Sequence, residues 1–168
     1  LAKVLDAVET ISREVIDDFC ERGEVDLVEA LSQPFPLLVI CDMMGIPRSE
    51  FHTVLNATNI TLSGGDPEFI GDGDPMTAIL GAGIELTALM DELSAERRKN
   101  PTDDLTSKLV HADVDGEMLA PEEVAPFFIL LAVAGNDTTR TAISHGMNLL
   151  AQHPEQRAVW QNDVEGVT

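Results

Sequence analysis

Tyrosine is absent from this sequence, tryptophan occurs once, and aromatic residues together make up only 4% of it. The core must therefore be built from Leu, Ile, Val, Ala and Met, which suits helices better than aromatic-rich sheets. Bases are scarce as well, ten against thirty acids, for a formal charge of -20. A polyanion repels phosphate backbones and anionic lipid, so nucleic acid and membrane surfaces are poor partners. The acids read as a well-solvated surface. There is no secretory signal and no stretch long enough to span a membrane. The longest apolar run, Phe127 to Ala134, is too short for that and reads as buried helix. The two cysteines, Cys20 and Cys41, have neither metal-ligand spacing nor a disulfide framework, and each is expected to serve packing.

What is present is a globular composition, 44% apolar over 168 residues. Val4, Val8, Ile11, Val15 and Phe19 recur at helical spacing, and Gly23 is a natural stop. Val25 to Val28 reads as a short strand. Pro34 and Pro36 open a buried helix, Leu37 to Met44, ended by Gly45 and Pro47, and another helix is expected from Glu50 to about Leu62. Ser63 to Pro75 is a loop rich in Gly, Asp and Pro. A long amphipathic helix follows over roughly Met76 to Lys99, with Ile79, Leu86, Leu89, Met90 and Leu93 inward. A short helix around Asp104 to His111 leads into a tight turn at 113–116.

The last major helix starts at Pro121, which suits a first helical position, and has no obvious break before Pro154. At 1.5 Å per residue it is about 45–50 Å long, against a diameter of about 40 Å for a compact chain of this length. Such a helix is built to cross a larger domain. The chain begins at Leu1 and stops at Thr168 just after a helical pattern, so both ends read as cut. The expected fold is all-α, mostly helical with minor β.

Inside that helix lies Ala-Gly-Asn-Asp-Thr-Thr-Arg, residues 134–140. Gly, Asn, Asp and Thr are mediocre or poor helix formers, and here they stand together in mid-helix. Thr138 follows Ala134 by four residues, so its hydroxyl can bond the Ala134 carbonyl and open or bend the helix. Small side chains at Ala134 and Gly135 allow close approach by something flat. Asp137 beside Thr138 makes a pair able to pass protons through water. The bland alternative is a kinked core helix with Asp137 paired to a cation.

The run AGNDTTRTAISHGMNLLAQHPEQ, 134–156, resembles the central helix of bacterial cytochromes P450 and the start of the helix after it. FPLLVICDMMGIP at 35–47 and DDLTSKLVHADVDGEML at 103–119 are similar to two further segments of that family, in family order. The resemblance implies the central part, residues 1–168, of a P450 domain whose intact form binds heme b. It implies an enzyme inserting one atom of O2 into a small apolar substrate, with electrons from a ferredoxin-type donor, in the cytoplasm. Asp137 and Thr138 would be catalytic. Leu131, Ala134, Gly135, Thr138 and Thr139 would contact heme, Leu130 and Val133 would contact substrate, and the loop near 62–75 would also touch it. The AGNDTTR run and the DPEF loop at 66–69 are nearest the enzymes that hydroxylate steroid side chains and branched lipids, with terpenoid-like substrates also in range. Ala120 departs from the usual Ser or Thr cap, and Pro126 sits early in the helix. The family's heme-cysteine loop would lie beyond Thr168, and Cys20 and Cys41 cannot replace it, so this polypeptide alone is expected to be inactive.

Two other classes compete. His111, Asp113, Asp115, Gly116, Met118 and Glu122 approach the spacing of a calcium-binding EF-hand loop over 111–122, with His111 where the first Asp belongs. The other is a non-catalytic helical module, which leaves the polar stretch at 135–139 unexplained. Ser144 and His145 are sequence neighbours, about 100° apart on a helix, and form no nucleophile–base pair.

Overall fold

The computed structural model describes residues 2–114, 116–164 and 166. Helix α1 (Ala2–Phe19) buries Ile11 and Val15 and half-buries Val4, Val8 and Phe19, the face its spacing predicts. Val25 to Val28 is not a strand. The Asp26 carboxylate accepts the N–H groups of Val28 (2.8 Å) and Glu29 (3.2 Å) and launches a π-helical turn, Val28–Ser32. A capping carboxylate here outweighs the β-propensity of two valines.

Helix α2 (Pro34–Met44) has Pro in its first turn and buries Leu37, Ile40, Cys41 and Met44. Gly45 ends it in the left-handed region, φ 73°, where a side chain would be strained. A 3-10 turn, Arg48–Glu50, leads into α3 (Phe51–Leu62). The following loop holds one short helix, α4 (Pro67–Ile70), capped by Asp66. In α5 (Pro75–Lys99) the Asp74 carboxylate accepts the N–H (2.8 Å) and the hydroxyl (2.7 Å) of Thr77. Leu86, Met90 and Leu93 point inward as their spacing predicts.

Helix α6 (Leu105–Val110) precedes the only strands among the described residues. These are β1 (Asp113–Val114) and β2 (Glu117–Met118), an antiparallel hairpin pairing Asp113 with Met118 and Val114 with Glu117. This hairpin gives the calcium reading no support. The Asp113 carboxylate accepts the Gly116 N–H (2.7 Å), and His111 Nδ1 is 2.8 Å from the Ser107 carbonyl of its own helix. Asp115 and the side chains of Met118 and Glu122 lie outside the described residues. Among those described, no three His, Cys, Asp or Glu side chains gather as metal ligands.

Helix α7 (Pro121–Gln152) runs 32 residues, about 48 Å at 1.5 Å each, and α8 (Pro154–Asn162) follows. Ala120 lacks a capping oxygen, but Glu123 reaches back to accept the Ala120 N–H at 2.8 Å, half of a capping box. Helices α2, α3 and α5 pack on α7, and α3 packs along α5. Their shared core holds Leu37, Met44, Val54, Leu86, Met90 and Phe128, all fully buried. Among the described residues no helix is long and apolar enough to cross a membrane.

Candidate functional site

Helix α7 carries two apolar faces. Val124, Ala125, Phe128 and Ala132 are buried in the core. Phe127 and Leu130 lie on another side and are 41% and 67% exposed. The run 127–134 is therefore not buried throughout, as its composition predicts, because only one side of the helix meets α2, α3 and α5.

On the open side Phe127, Leu130, Leu131, Ala134 and Gly135 line a shallow groove of about 370 Å³. Its residues follow the i, i+3, i+4, i+7 rule, which places them along one stripe. Thr138 continues the stripe one turn beyond Ala134 and donates its hydroxyl hydrogen to the Ala134 carbonyl at 2.7 Å. That bond is the one its spacing predicts. The helix nonetheless runs unbroken through 134–140, so the expected local opening is not seen in this arrangement. Val133 and Thr139 lie about 100° around the helix from Ala134 and Thr138, and neither lines the groove.

Behind the stripe the helix is held close to α2. A Cβ on Gly135 would sit 3.2 Å from Ile40 Cδ1, so glycine lets the two helices approach. Asn136 is fully buried, and neither polar atom of its amide has a partner among the described residues. Asp137 is 2.6 Å from the Arg140 guanidinium three residues on, its own side chain 43% exposed and that of Arg140 24%. Ser144 spends its hydroxyl on the Arg140 carbonyl at 2.9 Å, which removes it from any nucleophilic role with His145. Sequence reasoning took Phe127 only as an apolar position of the helix and Asn136 only as a poor helix former, and gave Arg140 no role. Phe127 was legible as the i−3 and i−4 neighbour of Leu130 and Leu131, and Arg140 as the base three residues after Asp137.

An uncovered apolar stripe of small and branched side chains, ending in a hydroxyl with a carboxylate beside it, suits one face of a flat apolar cofactor such as heme. The chain's cysteines do not suit its iron. Cys41 is buried in the core, where burial pushes its thiol up to about 12, and a protonated thiol is no ligand. Cys20 is exposed at the end of α1, away from the groove. The architecture is a helical segment with one open apolar groove along α7.

No protein-family model matches the chain. Similar proteins do. The chain is 46% identical over 144 residues to the methyl-branched lipid omega-hydroxylase of Mycobacterium tuberculosis, across 86% of this chain and 33% of that protein. It is 33% identical over 163 residues to the steroid C26-monooxygenase of Mycolicibacterium smegmatis, across 97% of this chain and 37% of that one. Among solved structures, a Mycobacterium marinum cytochrome P450 in complex with pseudoionone superposes with a TM-score of 0.90 at 37% identity, covering 98% of this chain and 40% of its own. A Bacillus megaterium P450 in complex with testosterone gives 0.82 at 28% identity, with 98% and 44% covered. The chain belongs to the cytochrome P450 family, and it spans about a third of the length of the curated relatives it matches.

Proposed function

We propose that the protein of which this chain forms part is a heme-thiolate monooxygenase that hydroxylates a small apolar substrate, a steroid, branched lipid or terpenoid-like molecule. The observation that carries the proposal is the open stripe of α7, where an apolar groove runs into the Thr138 hydroxyl. Heme, when bound, supplies the activation of O2. The chain's own residues do the rest on this side. Leu131, Ala134 and Gly135 would hold one face of the macrocycle and exclude water there. Leu130, and Phe69 in the loop near 62–75, would present apolar surface to substrate. Thr138 holds a proton at Oγ1, and Asp137, being partly exposed, takes protons from solvent and passes them on.

The names of the relatives support a lipid-like substrate, and an apolar groove with no charged lining agrees with one. The electrons would come from a ferredoxin-type donor, and the enzyme would work in the cytoplasm. The direct test is the reduced carbon-monoxide difference spectrum of the complete protein. A band at about 450 nm is the expected thiolate signature. Its absence from folded protein, together with absence of bound heme, would overturn the proposal.

A further inference from the structure

A cavity of about 720 Å³ opens between α1, the turn at Val28–Ser32, α2 and the start of α3, and it shares no residue with the groove on α7. Its floor is apolar, with Val15 and Phe51 buried and Leu38 and Leu55 half-buried. Its rim is acidic. Five carboxylates, Glu14, Asp18, Glu24, Asp26 and Glu29, stand against the two guanidiniums of Arg22 and Arg48, which leaves a formal charge of -3 with His52 neutral. Both guanidiniums are already taken, Arg22 by Asp18 and Arg48 by Glu14, each at 2.9 Å. The Asp26 carboxylate is spent on the N–H groups of Val28 and Glu29. The carboxylates of Glu24 and Glu29 have no partner among the described residues. The rings of Phe51 and His52 both line the cavity, with centroids 5.7 Å apart and planes at 65°. Two aromatic faces set at an angle form a corner, and such corners hold alkylated ammonium groups.

We propose that this cavity is a second small-molecule site, one that takes an organic cation with an apolar body, a substituted ammonium. The body lies over Leu38 and Leu55, and the charge is met by the Phe51–His52 corner and the free carboxylates of Glu24 and Glu29. The size fits, since small-molecule pockets run to about 300–1,000 Å³ and are mostly apolar with a few placed polar groups. The charge selects. An anion would meet five carboxylates, and a neutral apolar molecule would shield Glu24 and Glu29 from water without giving them a counter-ion. A choline lipid headgroup matches less well, because the phosphate beside its ammonium would face the same carboxylates. The occupant touches α1, the turn, α2 and α3 at once, so its binding ties four successive elements together. The heme reading of α7 plays no part in this inference.

The test uses the complete heme-loaded protein and phenyltrimethylammonium, a cation with an apolar ring and no lone pair to offer iron. Isothermal titration should show one saturable site with a dissociation constant of about 1 mM or below, while the heme spectrum stays unchanged. In the double variant Glu24→Gln/Glu29→Gln the affinity should fall about fivefold, since two exposed ion pairs are lost. In His52→Ala it should fall about threefold, since one aromatic wall is gone. Glu24, Glu29 and His52 are all exposed, so both variants keep the fold. No saturable binding below about 10 mM overturns the proposal, and this is the result expected if other parts of the protein fill the cavity. Affinity unchanged in either variant overturns it as well. So does a heme spectrum that shifts in step with the titration, which would put the cation in the α7 groove.

Discussion

Arg97 Nε lies 2.5 Å from Asp104 Oδ2, and this pair fastens the C-terminal ends of α2 and α5 to the start of α6. Arg97 also donates to the Gly45 carbonyl at 2.9 Å, and Asp104 accepts the Ser107 N–H at 2.6 Å and the Thr102 hydroxyl at 2.5 Å. Burial pushes the Asp104 carboxyl up, yet the hydrogen bonds from Thr102, Ser107 and Arg97 outweigh it and hold it below its ordinary value of 3.8. A carboxyl with a depressed folded-state pKa binds fewer protons folded than unfolded. Its stabilisation is complete above the ordinary value and is lost as pH falls through the folded one. Asp104→Asn should destabilise the complete protein by about 3 kcal/mol at neutral pH, because it leaves Arg97 without its counter-charge in a largely buried place. The loss should shrink as pH drops below about 4. Urea unfolding at both pH values measures it, and an equal loss at the two would mean the charge is not what matters.

Gly45 belongs to the same junction. It has φ 73°, and a Cβ there would come within 2.0 Å of Asp104 Oδ2. Gly45→Ala therefore adds left-handed strain of about 1 kcal/mol and pushes the carboxylate off Arg97. The expected loss approaches that of Asp104→Asn, and the two changes combined should cost less than their sum, since they break one node. Thermal unfolding of both single variants and the double variant decides it. Full additivity would separate the glycine from the ion pair.

At the open stripe, Thr138→Ala removes the hydroxyl while leaving the apolar groove. Heme content and the carbon-monoxide spectrum should stay intact, while product per reductant falls by about tenfold or more and hydrogen peroxide rises. Thr138→Ser, which keeps the hydroxyl, should recover most of the yield. Native yield in the alanine variant would remove Thr138 from the chemistry.

Most of the helices were legible in the sequence, because apolar spacing and prolines in first turns are local signals, whereas the short α4, capped by Asp66, was read as loop. The Val25–Val28 strand was misread because Asp26 caps a helical turn, a side-chain-to-backbone contact that β-propensity does not contain. The Arg97–Asp104 node was invisible because it joins residues across the bend at Asn100-Pro101 and meets Gly45, distant in sequence. Thr138 and its Ala134 partner were readable from a spacing of four. Val133 and Thr139 were carried along by the motif, although a helix turns about 100° per residue and takes them off the stripe. Which side of the 127–134 run stays open depends on where α2, α3 and α5 pack, and a run that is apolar on every side does not carry that information.

The two sides of that run give the sharpest contrast. Phe128 is fully buried among core residues, while Leu130, two residues on, is 67% exposed. Phe128→Ala should cost about 3–5 kcal/mol of stability through the cavity it leaves. Leu130→Ala should scarcely move the stability supplied by this part of the chain, because that side chain packs little against it. Its cost should fall on ligand binding, at about 1–2 kcal/mol for the apolar contact removed. Thermal unfolding paired with titration of an apolar ligand on the complete protein separates the two effects. A large loss of stability with unchanged ligand affinity in Leu130→Ala would mean that the open stripe is covered by other protein and does not face the substrate.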